Sequence, residues 1–171
     1  TERNATQILE FAGMPSSLVA TKNLDYIEAT KELKAGDIDA FFCTAGLTTT
    51  VIDELSKECD IRLIPLTDTV ISKMLESSSA YTSEVIPAGT YTGQDTAIST
   101  IGVKSVLITK SDVSDDTIEQ LTSLLFEKEN ELSYSNSLKL ELTYDFATGD
   151  IPIPFHKGAK RYYEDCGYSA N

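Results

Sequence analysis

The sequence predicts an α/β fold in which helices flank a sheet dominated by parallel strands. Segments with apolar residues at helical spacing alternate with short apolar runs at residues 17–21, 37–44 and 61–66. The last two runs are almost wholly apolar, which is typical of strands buried on both faces of a parallel sheet. Because alternating helices and buried strands form βαβ units, we expect residues 38–44 and 61–66 to be parallel neighbours or near neighbours in one sheet.

Four helices are predicted in this half of the chain, each with a start or stop signal. The first keeps helical spacing from the first residues and ends at Gly13. The second begins at a cap on Asn23 and ends at Gly36. The third covers about residues 48–58, and the fourth starts at Asp68. The residues expected to face inward are Ala5, Ile8, Leu9 and Ala12; Tyr26, Ala29 and Leu33; Val51, Ile52 and Leu55; and Val70, Ile71, Met74 and Leu75.

The alternation breaks at the serines of residues 77–79. A turn-rich stretch at residues 84–95 follows, and then a β-type run at residues 96–110 that is longer than an ordinary strand. Gly102 lies in the middle of this run, where a bend costs little. The run is therefore either one bent strand that leaves one domain and enters another, or two separate strands of one sheet.

The last third of the chain is rich in helices. One helix is capped by Ser114, and another covers about residues 137–147 and ends at Gly149. Their inward-facing residues are expected to be Ile118, Leu121 and Leu125 in the first and Leu138, Leu142 and Phe146 in the second.

The terminal segment, residues 151–167, reads Ile-Pro-Ile-Pro-Phe-His-Lys-Gly-Ala-Lys-Arg-Tyr-Tyr-Glu-Asp-Cys-Gly. Two prolines in four residues forbid both a helix and a central strand, so residues 151–155 should be extended and stiff. A short helix follows, and Gly167 is placed to end it. On physical grounds alone, this segment is a rigid connector that docks a C-terminal helix. The face of that helix is formed by Ala159, Tyr162, Tyr163 and Cys166.

The composition is that of an ordinary globular protein, with 171 residues, 41% hydrophobic and 24% charged. The net charge of −13 argues against a nucleic-acid partner, because binding to nucleic acid depends on Lys and Arg that neutralise phosphates. No apolar run reaches the length of about 18 residues that a membrane span needs, so direct membrane insertion is not expected. No signal peptide is visible, and the chain starts inside a helix, which suggests a fragment or a processed product.

The sequence offers few groups for catalysis or metal binding. The single His, His156, and the three cysteines, Cys43, Cys59 and Cys166, are too widely spaced to form a zinc site. The cysteines are expected to be buried thiols. Neither a Gly-x-Ser-x-Gly elbow nor a Gly-rich phosphate loop is present. We therefore expect no enzyme activity, no metal and no cofactor, and a His156 that bonds to the backbone rather than acting in catalysis.

Ligand binding is better supported than catalysis. In open α/β sheets, ligands lie beyond the carboxyl ends of the strands, against the N-termini of the following helices. Thr44, Ala45 and Gly46 occupy that place, ahead of the threonines of residues 48–50. Backbone N–H groups and hydroxyls there suit a carboxylate, although ordinary capping by Thr48 explains a single hydroxyl equally well. Tyr91 lies in the turn before the long β-type run, where an aromatic ring could cover a small ligand.

Three motifs and the first residues of the chain follow the patterns of one family. Residues 33–41 read Leu-Lys-Ala-Gly-Asp-Ile-Asp-Ala-Phe, and residues 86–95 read Ile-Pro-Ala-Gly-Thr-Tyr-Thr-Gly-Gln-Asp. Together with residues 151–167, they resemble the TAXI group of solute-binding receptors, which serve TRAP transporters. The first residues resemble the continuation of that group's Gly-Ser-Gly-Thr segment, with Thr1 as its last member. The chain departs from the group at Lys157, where Pro is common, and it lacks both the Gly-x-Pro often seen after the strand at residues 37–44 and the Gly-rich, Tyr-containing ligand loop of the first lobe.

The resemblance implies a partial two-lobed periplasmic-binding-protein fold of type II. Residues 1–91 would form most of ligand-binding lobe two, residues 92–110 the crossing strand and hinge, and residues 111–171 a helical part that returns to lobe one. Closure of the two lobes would bury the ligand. Because the first-lobe loop is missing, we expect the chain alone to bind solute weakly or not at all.

The resemblance also implies a function and a set of site residues. The protein would be a non-catalytic receptor in the periplasm or on the outer cell surface, secreted or lipid-anchored. It would capture a small organic acid or an amino acid such as glutamate and pass it to the membrane subunits of a TRAP transporter. The expected ligand-binding residues are Thr1, Thr44, Ala45, Gly46 and Tyr91. Two other interpretations stay open: an α/β enzyme of transferase type, and a ligand-sensing domain of a regulator.

Overall fold

The computed structural model describes residues 1–127 and 142–170. The chain divides into two compact units, Thr1–Val103 (unit 1) and Lys104–Asn171 (unit 2). Both contain helices, and unit 1 also contains a small sheet, so the protein belongs to the α/β class. The assignment of residues 1–91, 92–110 and 111–171 to lobes and a hinge stays a prediction.

The helices of unit 1 begin and end close to the residues that the sequence indicated. They are α1 (Glu2–Phe11), α2 (Tyr26–Ala35), α3 (Thr50–Glu58) and α4 (Asp68–Ser77). The predicted cap of α2 on Asn23 was wrong, because the Asp25 side chain accepts the Glu28 N–H at 2.8 Å and the helix begins one residue later. Gly36 ends α2 as predicted, at a φ of +78° that favours glycine.

The sheet of unit 1 consists of two antiparallel strands, β1 (Tyr81–Ile86) and β2 (Ile98–Val103). Strand β2 therefore takes up only the first half of the β-type run at residues 96–110. At Gly102, opposite Thr82, a Cβ atom would lie 2.7 Å from the Glu84 side chain and 2.8 Å from the Thr82 hydroxyl. The glycine thus makes room for two side chains of β1.

The parallel sheet expected from the sequence is not seen in the described residues. None of the three apolar runs is a strand there, although a hydrogen bond of 2.9 Å joins Leu66 N–H to the β2 backbone. Leu18 is 72% exposed and Ile64 is 71% exposed. An apolar run shows that its residues can be buried, but its pairing partners are chosen by contacts distant in sequence. The runs concerned are residues 17–21, 37–44 and 61–66.

The core of unit 1 lies where α1 and α4 pack against the sheet. Ile8 of α1 meets Val70 and Met74 of α4, and Met74 is 0% exposed. The inward face predicted for α4 is confirmed except at Leu75, which is 37% exposed. The partly buried side chains around this core are Phe11, Leu66, Tyr81 and Ile101.

Unit 2 contains three helices within the described residues. They are α5 (Asp115–Glu127), α6 (Tyr144–Thr148) and α7 (Lys157–Asp165). The predicted cap on Ser114 is confirmed, because its hydroxyl accepts the Thr117 N–H at 3.2 Å. Of the helix predicted at about residues 137–147, residues 137–141 with Leu138 lie outside the described residues. The prediction that Leu121 faces inward was wrong, since it is 40% exposed.

Helix α7 packs on α5 through a close approach at Gly158. A Cβ atom on this residue would collide with the Asp115 carbonyl oxygen and lie 2.9 Å from the Glu119 nitrogen. One turn further along, the Arg161 guanidinium donates to Glu119 at 2.6 Å and to Asp116 at 2.7 Å. These two carboxylates, Glu119 more than Asp116, raise the pKa of Arg161. A small residue and an ion pair together hold the two helices in register.

A cluster of aromatic rings covers the apolar face of α7. Tyr163 is 8% exposed and meets Phe155 edge-on, with ring centroids 5.6 Å apart. The Tyr162 hydroxyl lies 3.2 Å from the Tyr144 hydroxyl, and burial, together with this contact, raises the pKa of Tyr162. The predicted face is thus confirmed for both tyrosines but not for Cys166, which is exposed at the helix end. The remaining rings of the cluster are Phe126 and Tyr168.

Replacing Gly158 by Ala should destabilise the protein, because the new methyl group would push α7 away from α5. We expect the free energy of unfolding to fall by about 1–3 kcal/mol, the usual cost of overpacking a tight contact. Lys157→Ala, on an exposed residue of the same helix, is the matched control and should change it by less than about 0.5 kcal/mol. Urea denaturation followed by circular dichroism measures both, and equal midpoints for the two variants would contradict the close approach.

Candidate functional site

The loop after residues 37–43 is tied down by the side chain of Tyr26. This residue is the first of α2, directly after the Asp25 cap. Its hydroxyl donates to the Thr44 carbonyl oxygen at 3.0 Å and accepts the Thr44 N–H at 3.2 Å. One side chain therefore binds both backbone polar groups of Thr44 and fixes where the loop begins.

Thr1 joins the same group of atoms. It occupies the N-cap position of α1, and its hydroxyl lies 3.0 Å from the Tyr26 hydroxyl. Thr1, Tyr26 and Thr44, called the hydroxyl cluster below, thus bring together two of the residues that the sequence proposed for ligand binding. From its spacing in the sequence, Tyr26 was expected to face inward. Its half-buried ring agrees with that, but helical spacing carries no information on where a polar tip will bond.

Ala45 and Gly46 follow the hydroxyl cluster in an exposed loop without regular structure. This loop leads to Thr48, whose φ is +59°. The Thr48 hydroxyl donates to the Leu47 carbonyl oxygen at 2.6 Å, and the N-cap position of α3 belongs to Thr49. The capping role considered for Thr48 is therefore not what its hydroxyl does here.

Tyr91 reaches the N-terminal end of α3 from the loop between β1 and β2. Its side chain is 7% exposed, and its hydroxyl oxygen accepts hydrogen bonds from the backbone N–H groups of Thr49 and Thr48. Burial raises the pKa of Tyr91, and these two N–H groups oppose the rise. The Tyr91 N–H donates to the Gln94 side chain at 3.3 Å, which steadies the loop. These two N–H groups at the start of α3 had been expected to bind a ligand, but the Tyr91 hydroxyl already accepts hydrogen bonds from them. A carboxylate would therefore have to bind to the loop at residues 45–47.

The three cysteines are free thiols in different surroundings. Cys43 is half-buried beside the Tyr26 hydroxyl. Burial raises the pKa of the Cys43 thiol, and the Tyr26 hydroxyl, which would stabilise a thiolate at this position, opposes the rise. Cys59 is also half-buried, whereas Cys166 is exposed, so the expectation of three buried thiols was wrong for Cys166. Cys166 follows the last turn of α7, where the chain faces solvent.

A cavity of about 380 Å³ lies between residues 61–65 and residues 91–98. Tyr91 lines it, so this residue contributes both to the cavity and to the end of α3. Arg62 and Asp95 bring opposite charges to its lining, which also contains the polar side chains of Thr92, Gln94 and Thr96. This cavity could not be predicted from the sequence, because its two walls are about thirty residues apart in the chain.

His156 lies in unit 2, where its side chain caps α7. The Nδ1 atom accepts the Gly158 N–H at 3.1 Å and lies 3.8 Å from Asp115 Oδ1. In the neutral ring, Nε2 then carries the hydrogen. This Nε2 is buried and has no hydrogen-bond partner within residues 1–127 and 142–170. The side chain therefore bonds to the backbone after the proline segment, as the sequence indicated.

In the part of the chain that the structure describes, no group of three His, Cys, Asp or Glu side chains could hold a metal ion. The helices in that part are all too short or too polar to cross a membrane.

The reactivity of Cys43 tests the geometry of the hydroxyl cluster. Because only the thiolate reacts and burial raises the pKa of this thiol, Cys43 should be alkylated by iodoacetamide several-fold more slowly than the exposed Cys166 at mildly alkaline pH. In concentrated urea the two rates should become similar. Peptide mass spectrometry over a time course measures both, and equal rates in the folded protein would contradict the burial of Cys43.

A comparison with known protein families gives a match that covers nearly the whole chain. The family model described as the NMT1-like family matches residues 1–167. This range contains the hydroxyl cluster, the loop at residues 45–47 and the terminal helix α7. The chain therefore belongs to the NMT1-like family, a family of the periplasmic-binding type.

Proposed function

We propose that the protein is a non-catalytic solute-binding receptor of a TRAP transporter, of the TAXI type. The observation that carries this proposal is membership of a periplasmic-binding-type family over residues 1–167. The three motifs at residues 33–41, 86–95 and 151–167 favour the TAXI group within that setting. The receptor acts outside the cytoplasm and delivers its solute to the membrane subunits of the transporter.

The hydroxyl cluster and the loop that follows it form the ligand site in this proposal. Thr1 and Thr44 are joined through Tyr26, and Ala45 and Gly46 are exposed next to them. Backbone N–H groups ahead of a helix bind carboxylates well, because they donate hydrogen bonds at the positive end of the helix dipole. The site thus suits a small organic acid or an amino acid such as glutamate.

The site recognises its ligand through uncharged side chains and backbone groups. The hydroxyl cluster and residues 45–47 contain no charged side chain. An acid bound here is held by directed hydrogen bonds, so the match between donors and acceptors decides which solutes bind. Closure of two lobes about residues 92–110 then completes the site and buries the solute.

Placing a negative charge in the loop should weaken the binding of an acid. Ala45→Asp puts a carboxylate beside the proposed carboxylate position, and we expect the affinity for L-glutamate or succinate to fall at least about tenfold. Ala80→Asp is the matched control, since Ala80 is also exposed in a loop of unit 1 and the change in net charge is the same. Its affinity should change by less than about twofold.

Titration followed by NMR detects weak binding as well as strong binding, and a ligand site in unit 1 requires at least weak binding by this chain. Wild-type protein should show shifts of the amide signals of residues 44–49. Binding of either acid with shifts confined to other residues, or equal losses in the two Asp variants, would contradict this site. No shift with any small acid or amino acid would contradict the proposed function.

A further inference from the structure

The hydrogens in the hydroxyl cluster can be assigned from the oxygen positions. Tyr26 Oη lies 3.0 Å from the Thr44 carbonyl oxygen. Two oxygens approach to this distance favourably only when a hydrogen lies between them, and a carbonyl has none to give. Tyr26 has a single hydroxyl hydrogen, so that hydrogen is donated to Thr44. The Cys43 thiol beside it is a weaker acceptor than a carbonyl and does not compete for it.

This assignment decides the direction of the remaining contact. The Tyr26 oxygen already accepts the Thr44 N–H at 3.2 Å. Thr1 Oγ1 lies 3.0 Å from the same oxygen. Because Tyr26 has no second hydrogen, the Thr1 hydroxyl must be the donor in this pair. The exposed Thr1 oxygen then has only lone pairs left for a third group.

We propose that Tyr26 is the specificity-determining residue of the ligand site. Its oxygen accepts the hydrogen bond from the Thr1 hydroxyl, so the Thr1 oxygen can act only as an acceptor toward a ligand. The favoured solutes carry a hydrogen-bond donor, an ammonium or hydroxyl group, near their carboxylate. A keto acid has a carbonyl oxygen at that position, which would face the Thr1 oxygen. Both oxygens are acceptors, so no hydrogen bond forms between them. This inference rests on the proposed function and deepens it, since it names the chemical feature that the site selects.

A pair of acids that differ at one position tests this role. L-Glutamate and 2-oxoglutarate have the same carboxylates, but one has an ammonium group where the other has a keto oxygen. Wild-type protein should bind L-glutamate more tightly. In Tyr26→Phe, the Thr1 hydroxyl can turn and donate, so the affinity ratio should fall about three- to tenfold, the range for one hydrogen bond.

Two further variants separate specificity from stability. Tyr81→Phe is the matched control, because it also removes a tyrosine hydroxyl of unit 1, one that bonds to Asn4 and Gln7 at 3.0 Å. It should leave the ratio unchanged. Thr1→Val removes the outward acceptor but keeps the bonds between Tyr26 and Thr44, so it should lower the ratio as Tyr26→Phe does. If Tyr26→Phe does not fold, Thr1→Val alone decides the question.

NMR titrations of the full chain give both affinities, and hydrogen exchange of the Thr44 amide reports whether its bond to Tyr26 is lost. A ratio in Tyr26→Phe or Thr1→Val equal to that of wild type would overturn the role of Tyr26 and leave the proposed function standing. A wild-type preference for 2-oxoglutarate would also overturn it. If wild-type protein binds neither acid nor any other small acid, the proposed function fails, and this inference fails with it.

Discussion

The packing of α1 against α4 is the contact on which unit 1 depends. Met74 is completely buried where the two helices meet the sheet, and Ile8 packs beside it. A fully buried Met of this kind contributes roughly 1.5–3 kcal/mol relative to an exposed one. The same contact sets the position of Thr1, because Thr1 is the N-cap of α1. The hydroxyl cluster therefore derives its geometry from an apolar core that contains none of its members.

The parts of the fold that depend on local signals could be predicted from the sequence. The ends of α2 and α7 were correct because Gly36 and Gly167 adopt a positive φ that glycine tolerates best. The strands could not be predicted in the same way. An apolar run such as residues 61–66 fits a parallel strand, but its actual neighbour, β2, lies more than thirty residues later in the chain. The choice of partner depends on contacts between distant residues, and periodicity does not report them.

The loop of the candidate site could be proposed from the sequence, but the hydrogen bonds that Tyr26 and Tyr91 make there could not. Thr44, Ala45 and Gly46 were proposed because the end of an apolar run before a helix is a known place for ligands. Tyr26 was missed because its spacing with Ala29 matches a buried face, and the ring does lie on that face. Tyr91 was identified for its ring, yet its hydroxyl is what binds the end of α3. In both tyrosines the ring is at least partly buried, but the hydroxyl forms hydrogen bonds with residues that are distant in the sequence.

The terminal motif at residues 151–167 and the residues proposed to bind the solute lie in different units. In the terminal segment, Gly158 is needed because the Asp115 carbonyl leaves no room for a Cβ atom. His156 caps α7, the helix that contains Gly158. This motif is therefore explained by packing within unit 2. Its match to the family pattern therefore carries no information about which solute is bound.

In the proposed site, the choice of solute would depend on short-range chemistry. The net charge of −13 gives an acidic solute no general attraction, and dissolved salt screens such charges beyond about 8 Å at physiological ionic strength. Hydrogen bonds act over about 3 Å and are lost when donor meets donor or acceptor meets acceptor. In the proposed site, which has no charged side chain, the orientation of a few hydroxyl hydrogens would therefore influence selectivity more than the overall charge does. In this chain, the orientation of the Thr1 hydroxyl is set by Tyr26.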